Sequence, residues 1–183
     1  FPFIKDLEDD TDSAYSRFLS DAVFMITSPS LLDRVVKMLD KIEMNDRDTK
    51  GDLYEYMLGK IATSGKNGQF RTPRHIIRLM VEMTDPKPND TICDPACGTA
   101  GFLTVAGEYL REQYPEVMQD PKLKEHFHNK LFNGFDFDNT MLRIGSMNML
   151  LHGVESPKIA YRDSLTQDYS NEEERYSLIL ANP

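Results

Sequence analysis

Two different spacings of hydrophobic residues divide the chain. Up to about residue 64, apolar positions recur every three or four residues, and the clearest example is the run Leu31, Leu32, Val35, Val36, Leu39 and Ile42. This period is typical of amphipathic helices. Ser28 and Pro29 predict the start of this helix, because serine is a favoured N-cap and proline a favoured first helical residue. A further helix is expected to carry Leu53, Met57 and Ile61 on one face.

A polar, glycine-rich stretch at 63–68 follows the helical segments. Such stretches separate lobes or form loops. The sequence therefore predicts a small helical amino-terminal domain at 1–64 and a second domain at 65–183. The second domain is expected to open with a helix that starts at Pro73, is capped by Thr72, and has a buried face formed by Ile76, Ile77, Met80 and Val81.

From residue 91 onward, short apolar runs alternate with helical patterns. Strands are predicted at 91–94, 131–137, 158–162 and 177–181. Helices are predicted at 101–113, 139–152 and, as an extra element, near 121–129. Alternation of this kind is typical of parallel strands joined by helical crossovers, so the predicted fold is a doubly wound α/β sheet. Ligands of such sheets bind beyond the carboxyl ends of the strands.

Composition narrows the class of protein. The 183 residues are 40% hydrophobic and 28% charged, as in globular proteins, and no apolar run approaches the ~20 residues of a membrane helix. The formal net charge of −9 argues against this chain being the main grip on nucleic acid, since phosphate contacts need clustered Lys and Arg. If the protein works on DNA, another component must hold the DNA.

The two cysteines and the first residues bear on location. Cys93 and Cys97 are expected to be small buried residues in a reducing compartment. A metal site is the alternative, but no other Cys and no His lies nearby in sequence, so no metal is predicted. The start of the chain lacks the pattern of a secretory signal, which favours a cytoplasmic protein, and the absent initiator Met indicates an excised fragment.

The segment from Asp94 to Phe102, with the sequence DPACGTAGF, carries the strongest chemical signal. Gly98 and Gly101 let the backbone approach a ligand where a strand passes into a helix. The amides at the start of that helix favour a carboxylate, whereas Asp94 suits an ammonium group. A ligand with both charges at one end, as in an amino acid, fits better than a pyrophosphate, and neither G-x-G-x-x-G nor a P-loop is present. An ordinary glycine turn is the alternative.

Polar residues follow the other predicted strands. Asp136 ends the second strand, where a ribose would be held, while Asp138 is expected to cap the next helix, although a solvated acid at the strand end is the alternative. Asp163 could accept a hydrogen bond from an adenine amino group or could simply cap a turn. Asn182 and Pro183 follow a buried strand, where their two oxygens could accept both hydrogens of an exocyclic amine; a plain turn is the alternative.

Taken together, 68–73, 94–102, 134–138, Asp163 and Asn182-Pro183 resemble, in this order, the γ-class amino-methyltransferases of DNA. The resemblance is closest to the modification subunit of type I restriction-modification systems and covers essentially the whole chain. It implies a truncated Rossmann-like S-adenosylmethionine-dependent methyltransferase fold after a helical domain. In the family the final motif continues as Asn-Pro-Pro-Phe, whose aromatic residue stacks on an adenine flipped out of the duplex, and this chain is expected to lack that edge.

The resemblance also implies roles for individual residues. Phe70, Thr72 and Pro73 would help to cover S-adenosylmethionine. The methionine end would be surrounded by the glycine-motif residues Asp94, Ala96, Gly98, Thr99 and Gly101. Asp136 would bind the ribose and Asp163 would read the cofactor adenine. Asn182 and Pro183 would orient the N6 amine of the target adenine.

The partners implied by the resemblance are duplex DNA, a specificity subunit that reads it, and a restriction and translocase subunit. No membrane partner is implied. Two other functions stay open at this stage. One is methylation of a glutamine amide in protein, because similar Asn-Pro endings occur in such enzymes. The other is a cofactor-binding or subunit-docking module that has no activity by itself.

Overall fold

The computed structural model describes residues 23–42, 47–63, 71–166 and 173–183. Residues 1–22, residues 64–68 of the predicted polar stretch, and Phe70 lie outside the described residues. The helices are α1 (Pro29–Leu39), α2 (Arg47–Thr63), α3 (Arg74–Thr84), α4 (Gly101–Gln113), α5 (Pro121–Asn129) and α6 (Asn139–Leu151), with a 3-10 turn at Pro115–Met118. The strands are β1 (Ile92–Asp94), β2 (Phe132–Asp136), β3 (Lys158–Tyr161) and β4 (Leu178–Ile179).

The four described strands form one parallel sheet in the order β3-β2-β1-β4. The chain therefore proceeds outward from β1 through β2 to β3 and then returns to the other side of β1. The predicted α/β fold with a parallel sheet is confirmed. This order places a topological switch point between β1 and β4, where ligands of open parallel sheets bind.

Helices α4 and α6 pack against each other and against the strands, so they cover the same face of the sheet. Phe102, Leu103, Leu110, Phe127, Phe132, Leu142 and Met149 are among the buried apolar residues of this core. Phe127 and Phe132 meet edge to face, with ring centroids 5.0 Å apart. Each fully buried side chain of this size contributes about 1.5–3 kcal/mol through removal of apolar surface from water, so the core fixes the helices that carry the loop after β1.

The predicted amino-terminal helices form, but their packing differs from a simple amphipathic scheme. The Ser28 hydroxyl accepts the Leu31 N–H, as the N-cap prediction requires. No residue of α1 is buried by the described chain, and Leu31 is half exposed. On α2, Leu58 is buried, whereas Met57, which was expected on the apolar face, is half exposed. The helical period predicted the elements correctly but could not say which residues a neighbour would cover.

Helix α2 packs on α6, whose chain position is some ninety residues later. Gly51 approaches His152 so closely that an added Cβ would lie 2.5 Å from the imidazole Nε2. The Tyr54 hydroxyl donates to the Ile144 carbonyl at 3.5 Å. Burial, together with Glu55, raises the pKa of Tyr54 to about 12, so the phenol stays protonated in this contact. The second helix of the predicted amino-terminal domain therefore lies directly against the sheet domain.

The predicted capping of α3 by Thr72 is wrong. The helix begins at Arg74, and Pro73, with φ −57° and ψ 134°, is extended and forms no side-chain cap. Ile77 and Val81 are buried and Met80 is partly buried, as expected, whereas Ile76 is 40% exposed. The helix ends at Thr84, where the C-cap residue Asp85 has a left-handed φ of 46°.

Among the described residues, no helix is both long and apolar enough to cross a membrane.

Candidate functional site

The loop between β1 and α4 has a tight, unusual backbone. Gly98 has a φ of 50° and Ala100 a φ of 62°, and the Ala100 N–H donates to the Cys97 carbonyl at 2.7 Å. Glycine adopts this left-handed region without strain, whereas an alanine there costs about 1–2 kcal/mol. The Cys97 N–H donates to the Phe135 carbonyl on β2 at 2.9 Å, so the loop is tied to the neighbouring strand. The predicted strand-to-helix glycine turn is confirmed.

Two other glycines let the loop pack closely. A Cβ on Gly134 of β2 would lie 3.0 Å from the Cys97 Sγ and 2.6 Å from the Ile159 Cδ1. A Cβ on Gly145 of α6 would lie 3.0 Å from the Gly98 carbonyl oxygen. The loop is therefore held in a notch that side chains at these positions would fill.

A cavity of about 420 Å³ opens beside this loop at the switch point between β1 and β4. Its lining from the predicted set consists of Thr72, Pro73, Asp94, Ala96, Gly98, Thr99, Gly101 and Asn182. Its lining beyond the predicted set consists of Glu55, Gly59, Arg71, Arg74, Ile77, Cys97, Phe102 and Val105. Asp136, Asp163 and Pro183 are not among the described residues that line it. A cavity of this size is in the range of small-molecule sites.

Asp94 is a buried carboxyl in the lining of the cavity and is 1% exposed. Its Oδ1 accepts the Ala96 N–H at 3.1 Å. Burial raises the pKa of this carboxyl to about 7, and the nearby Asp136 adds to the rise. Within the described part of the chain, Asp94 forms no ion pair with a cationic side chain, so a cationic group in the cavity would favour its ionised form.

The two cysteines are buried thiols that form no disulfide within the described residues, and Cys93 is 3% and Cys97 5% exposed. Burial raises the pKa of Cys97 well above its ordinary value, and the nearby Asp94 and Asp136 raise it further. A protonated, buried thiol is a small packing residue and a poor nucleophile or metal ligand. Within the described ranges, no three His, Cys, Asp or Glu side chains come together as a metal site.

Asp136 holds the loop from the β2 side. Its Oδ2 accepts the Gly98 N–H at 3.0 Å and its Oδ1 accepts the Asp138 N–H at 2.8 Å. Asp138 caps α6, because its Oδ1 accepts the Thr140 N–H at 2.7 Å. The predicted capping role of Asp138 is thus confirmed. The predicted contact of Asp136 with a ribose stays a prediction.

Asp163 is exposed and lies in a turn after β3. Its Oδ1 accepts the Leu165 N–H at 3.0 Å, and its carbonyl oxygen accepts the Thr166 hydroxyl at 3.1 Å. The turn-capping alternative is therefore observed, and contact with an adenine stays a prediction. Ser164 beside it donates to the Pro95 carbonyl at 2.6 Å, which brings the turn next to the glycine loop.

Thr72 and Asn182 meet at the mouth of the cavity. The Asn182 Nδ2 donates to the Thr72 Oγ1 at 2.9 Å, and both residues line the cavity. Asn182 is exposed, as is Pro183, and both follow β4. The structure brings together the first and last predicted site segments, which are far apart in sequence.

Sequence reasoning missed a polar group that also lines the cavity. Glu55 of α2 pairs with the Arg71 guanidinium and accepts the Asn148 Nδ2 at 2.6 Å. Asn148 also donates to the Thr99 carbonyl of the glycine loop at 2.9 Å. A charged residue on a helix such as α2 is ordinarily read as solvent-facing, so no signal pointed to Glu55. Asn148, however, is a polar residue inside the run MNMLL, which could have indicated a buried polar contact.

Comparisons with known proteins agree with this architecture. The sequence profile of the family described as N-6 DNA Methylase matches residues 45–183. The chain is 33% identical, over its full length, to the type I restriction enzyme EcoEI methylase subunit of Escherichia coli, of which it covers 38%. It aligns over 99% of its length, with a TM-score of 0.79 and 28% identity, to a crystal structure of a modification subunit assigned to a type I restriction enzyme of Vibrio vulnificus YJ016, and covers 39% of that chain.

A further solved chain comes from a type I R-M system studied for its complex assembly and conformational transition. It matches all of this chain with a TM-score of 0.75 and 26% identity, and 38% of its own length is covered. The present chain thus spans less than two-fifths of these relatives. The folds nonetheless agree along this chain, so the described sheet belongs to a truncated Rossmann-like methyltransferase fold. By its profile match and its homology to type I methylase subunits, this chain belongs to the N-6 DNA methylase family.

Proposed function

We propose that this chain carries the S-adenosylmethionine pocket and the amine-orienting residues of an adenine-N6 DNA methyltransferase subunit of a type I restriction-modification enzyme. The observation that carries the proposal is one cavity lined by the glycine loop, the buried Asp94 and Asn182. The family and the relatives supply the reaction class. Because the curated relatives are DNA methylase subunits, methylation of a protein glutamine is not favoured.

The residues of the cavity fit S-adenosylmethionine. Asp94 is a buried carboxyl that forms no ion pair with a cationic side chain of the described residues, and an α-ammonium group would supply such a cation. The backbone amides at the start of α4 suit the α-carboxylate of the same ligand. Thr72, Pro73, Ala96, Gly98, Thr99 and Gly101 would enclose its methionine end. Asp136 would hold the ribose, Asp163 the adenine, and Phe70 would cover the ligand.

Asn182 and Pro183 would orient the target amine. When bound, S-adenosylmethionine supplies a methyl group on a positively charged sulfur, which is a good leaving group. The Asn182 Nδ2 is engaged by Thr72, so its Oδ1 is available to accept a hydrogen from an exocyclic amine. The Pro183 carbonyl would accept the second hydrogen, which directs the nitrogen lone pair toward the methyl group. Positioning alone can then supply much of the rate enhancement.

DNA and partner subunits belong to the proposal as well. An adenine in a duplex must be flipped out of the stack to reach such a site. With a net charge of −9, the chain has little electrostatic attraction for phosphates. We therefore propose that a specificity subunit holds and reads the DNA and that a restriction and translocase subunit joins the complex, in line with a relative from a type I R-M system studied for its assembly.

Two measurements test the proposal. Isothermal titration calorimetry with S-adenosylmethionine and S-adenosylhomocysteine should show one binding site on this chain. Transfer of a tritiated methyl group to duplex DNA should require the complete methylase with its specificity subunit. The chain alone is expected to bind the cofactor without transferring the methyl group. This result would agree with a cofactor-binding module that has no activity by itself. Absence of cofactor binding, or methylation of a peptide in preference to DNA, contradicts the proposal.

A further inference from the structure

A polar chain of contacts joins helix α2 to the glycine loop. The Glu55 carboxylate accepts from the Arg71 guanidinium through Oε2 and from the Asn148 amide through Oε1. The same amide nitrogen donates to the Thr99 carbonyl at 2.9 Å. One carboxylate on α2 thereby connects the segment before α3, helix α6 and the loop that encloses the proposed ligand.

The orientation of the Asn148 amide follows from its partners. Glu55 and Thr99 both present acceptor oxygens, so only the Nδ2 group can face them. Asn148 is fully buried, and its Oδ1 has no hydrogen-bond partner among the described residues. A buried amide oxygen without a partner costs free energy, a cost that the two hydrogen bonds of the amide nitrogen must offset. The charge on Glu55 helps to offset this cost, because hydrogen bonds to an ionised acceptor are stronger than neutral ones.

The Glu55 side chain lies on the wall of the cavity, as do Arg71 and Thr99. Its side chain is 18% exposed and that of Arg71 is 24% exposed. The ion pair is therefore largely shielded from water. Salt and solvent screen such a pair less than they screen an exposed one. Tyr54, the neighbour of Glu55 on α2, anchors the same helix turn to the Ile144 carbonyl.

We propose that Glu55 is a positioning residue, which acts through Asn148 and Arg71 to hold the glycine loop and the segment before α3 in their ligand-binding arrangement. Through this role, helix α2 contributes to the proposed cofactor pocket. The affinity of the glycine loop for the ligand then depends on the packing of α2 against α6. The positioning role extends the proposed function, and the part of it that concerns ligand affinity rests on that function.

The test compares four single variants of the chain and one double variant. Asn148→Asp keeps the shape of the side chain but sets an oxygen against two acceptors, and Glu55→Ala removes the carboxylate. Glu55→Gln is a milder change that keeps one acceptor for Asn148 and removes the charge that Arg71 needs. Glu112→Gln is the matched control, because Glu112 pairs with Arg78 at 2.6 Å outside the cavity.

Calorimetry with S-adenosylhomocysteine gives the first readout. Glu55→Ala and Asn148→Asp are expected to weaken binding by about tenfold or more, the size of a typical coupling between contacting residues, with the Glu112→Gln control within about twofold of the parent chain. A double variant with Glu55→Ala and Asn148→Asp should bind no more weakly than the weaker-binding of these two single variants, because both substitutions break one chain of contacts. Unchanged affinity in Glu55→Ala and Asn148→Asp, or fully additive losses in the double variant, overturns the proposal.

Hydrogen exchange without ligand gives the second readout and does not depend on the proposed function. Exchange of the Gly98 and Ala100 amides should become faster in the Glu55 and Asn148 variants, while amides in the middle of α4 keep their rates. A general rise in exchange over the whole chain indicates a purely structural role and overturns the proposal. If the parent chain binds no S-adenosylhomocysteine but the loop exchange responds as described, the proposed function fails and the positioning role stands. Glu55→Gln supplies these readouts if the other variants do not fold.

Discussion

The Nδ2 atom of Asn182 lies 2.9 Å from the Oγ1 atom of Thr72, although the two residues are separated by 110 positions in the chain. One follows the last described strand, and the other precedes α3. Their hydrogen bond joins two segments of the cavity lining and engages the nitrogen end of the Asn182 amide. The oxygen end is then the part of this side chain that can accept a hydrogen from a substrate.

Replacement of Asn182 tests this geometry. Asn182→Ala is expected to lower the rate of methyl transfer by the complete methylase by about 100-fold. Misplacement of a reacting group by about 1 Å can reduce a rate by this factor. Affinity for S-adenosylhomocysteine should stay within about twofold, since the side chain is exposed. The measurement is tritium transfer under single-turnover conditions, beside calorimetry. Transfer at more than a tenth of the parent rate contradicts a role for Asn182 in orienting the amine.

Asp94 predicts a dependence of stability on pH. Its pKa is raised from an ordinary value of about 4 to about 7, so between these values the folded state binds more protons than the unfolded state. The free energy of unfolding should therefore fall as pH rises from about 4 to 7, by at most about 4 kcal/mol from this group, and stay level above 7. Urea unfolding of the ligand-free chain across this range measures the slope.

Asp94→Asn is the matched variant, because asparagine keeps the shape and loses the titration. The slope between pH 4 and 7 should flatten in this variant. A slope equal to that of the parent chain shows that other groups cause it. For the parent chain, affinity for the cationic cofactor should rise as pH increases toward 7, since the ligand favours the ionised carboxylate.

Asp136 and Asp138 are two acids of the same strand end with separable roles. Asp136→Ala leaves the Gly98 N–H without its acceptor and is expected to weaken S-adenosylhomocysteine binding by about tenfold or more. Asp138→Ala removes the N-cap of α6 and should cost about 1 kcal/mol of stability, with affinity unchanged within about twofold. Calorimetry and chemical denaturation on both variants give the comparison. The reverse pattern would mean that the ribose contact belongs to Asp138.

Gly134 is required for close packing beneath the loop. Gly134→Val should destabilise the chain by about 1–3 kcal/mol or more, because its Cβ would meet the Ile159 Cδ1 at 2.6 Å and the Cys97 Sγ at 3.0 Å. Gly59 on α2 is the control, since nothing lies within 4 Å of an added Cβ there. Gly59→Ala should be neutral or stabilising by up to about 1 kcal/mol through helix propensity. Thermal and urea unfolding measure both, and a tolerated valine at 134 contradicts the packing argument.

Local patterns predicted most of the elements of the sheet domain. Helix α4 spans Gly101–Gln113, as the glycine at its start and the apolar period indicated, and α5 and α6 lie within a residue of their predicted bounds. The caps at Ser28 and Asp138 were also readable, because a cap involves residues only two or three positions apart. Interactions of such short range are encoded in a short stretch of sequence.

Errors arose where a longer-range partner competed with a local one. Thr72 is positioned to cap a helix, but Pro73 stays extended and the hydroxyl bonds Asn182 instead. Met57 and Ile76 fit an apolar face by spacing, yet the neighbouring helices leave both at least 40% exposed. A hydrophobic period describes one helix and carries no information about what covers it.

The chemistry of the glycine loop and its acid was therefore contained in nine consecutive residues, because strand, turn and helix start are consecutive there. The cavity itself was not, since its walls come from α2, the segment before α3, the loop after β1 and the residue after β4. Glu55, Asn148 and Thr99 meet only because α2 packs on α6 and α6 packs on the loop. Contacts between residues so far apart depend on the packing of whole helices against the sheet, and no short stretch of sequence encodes that packing.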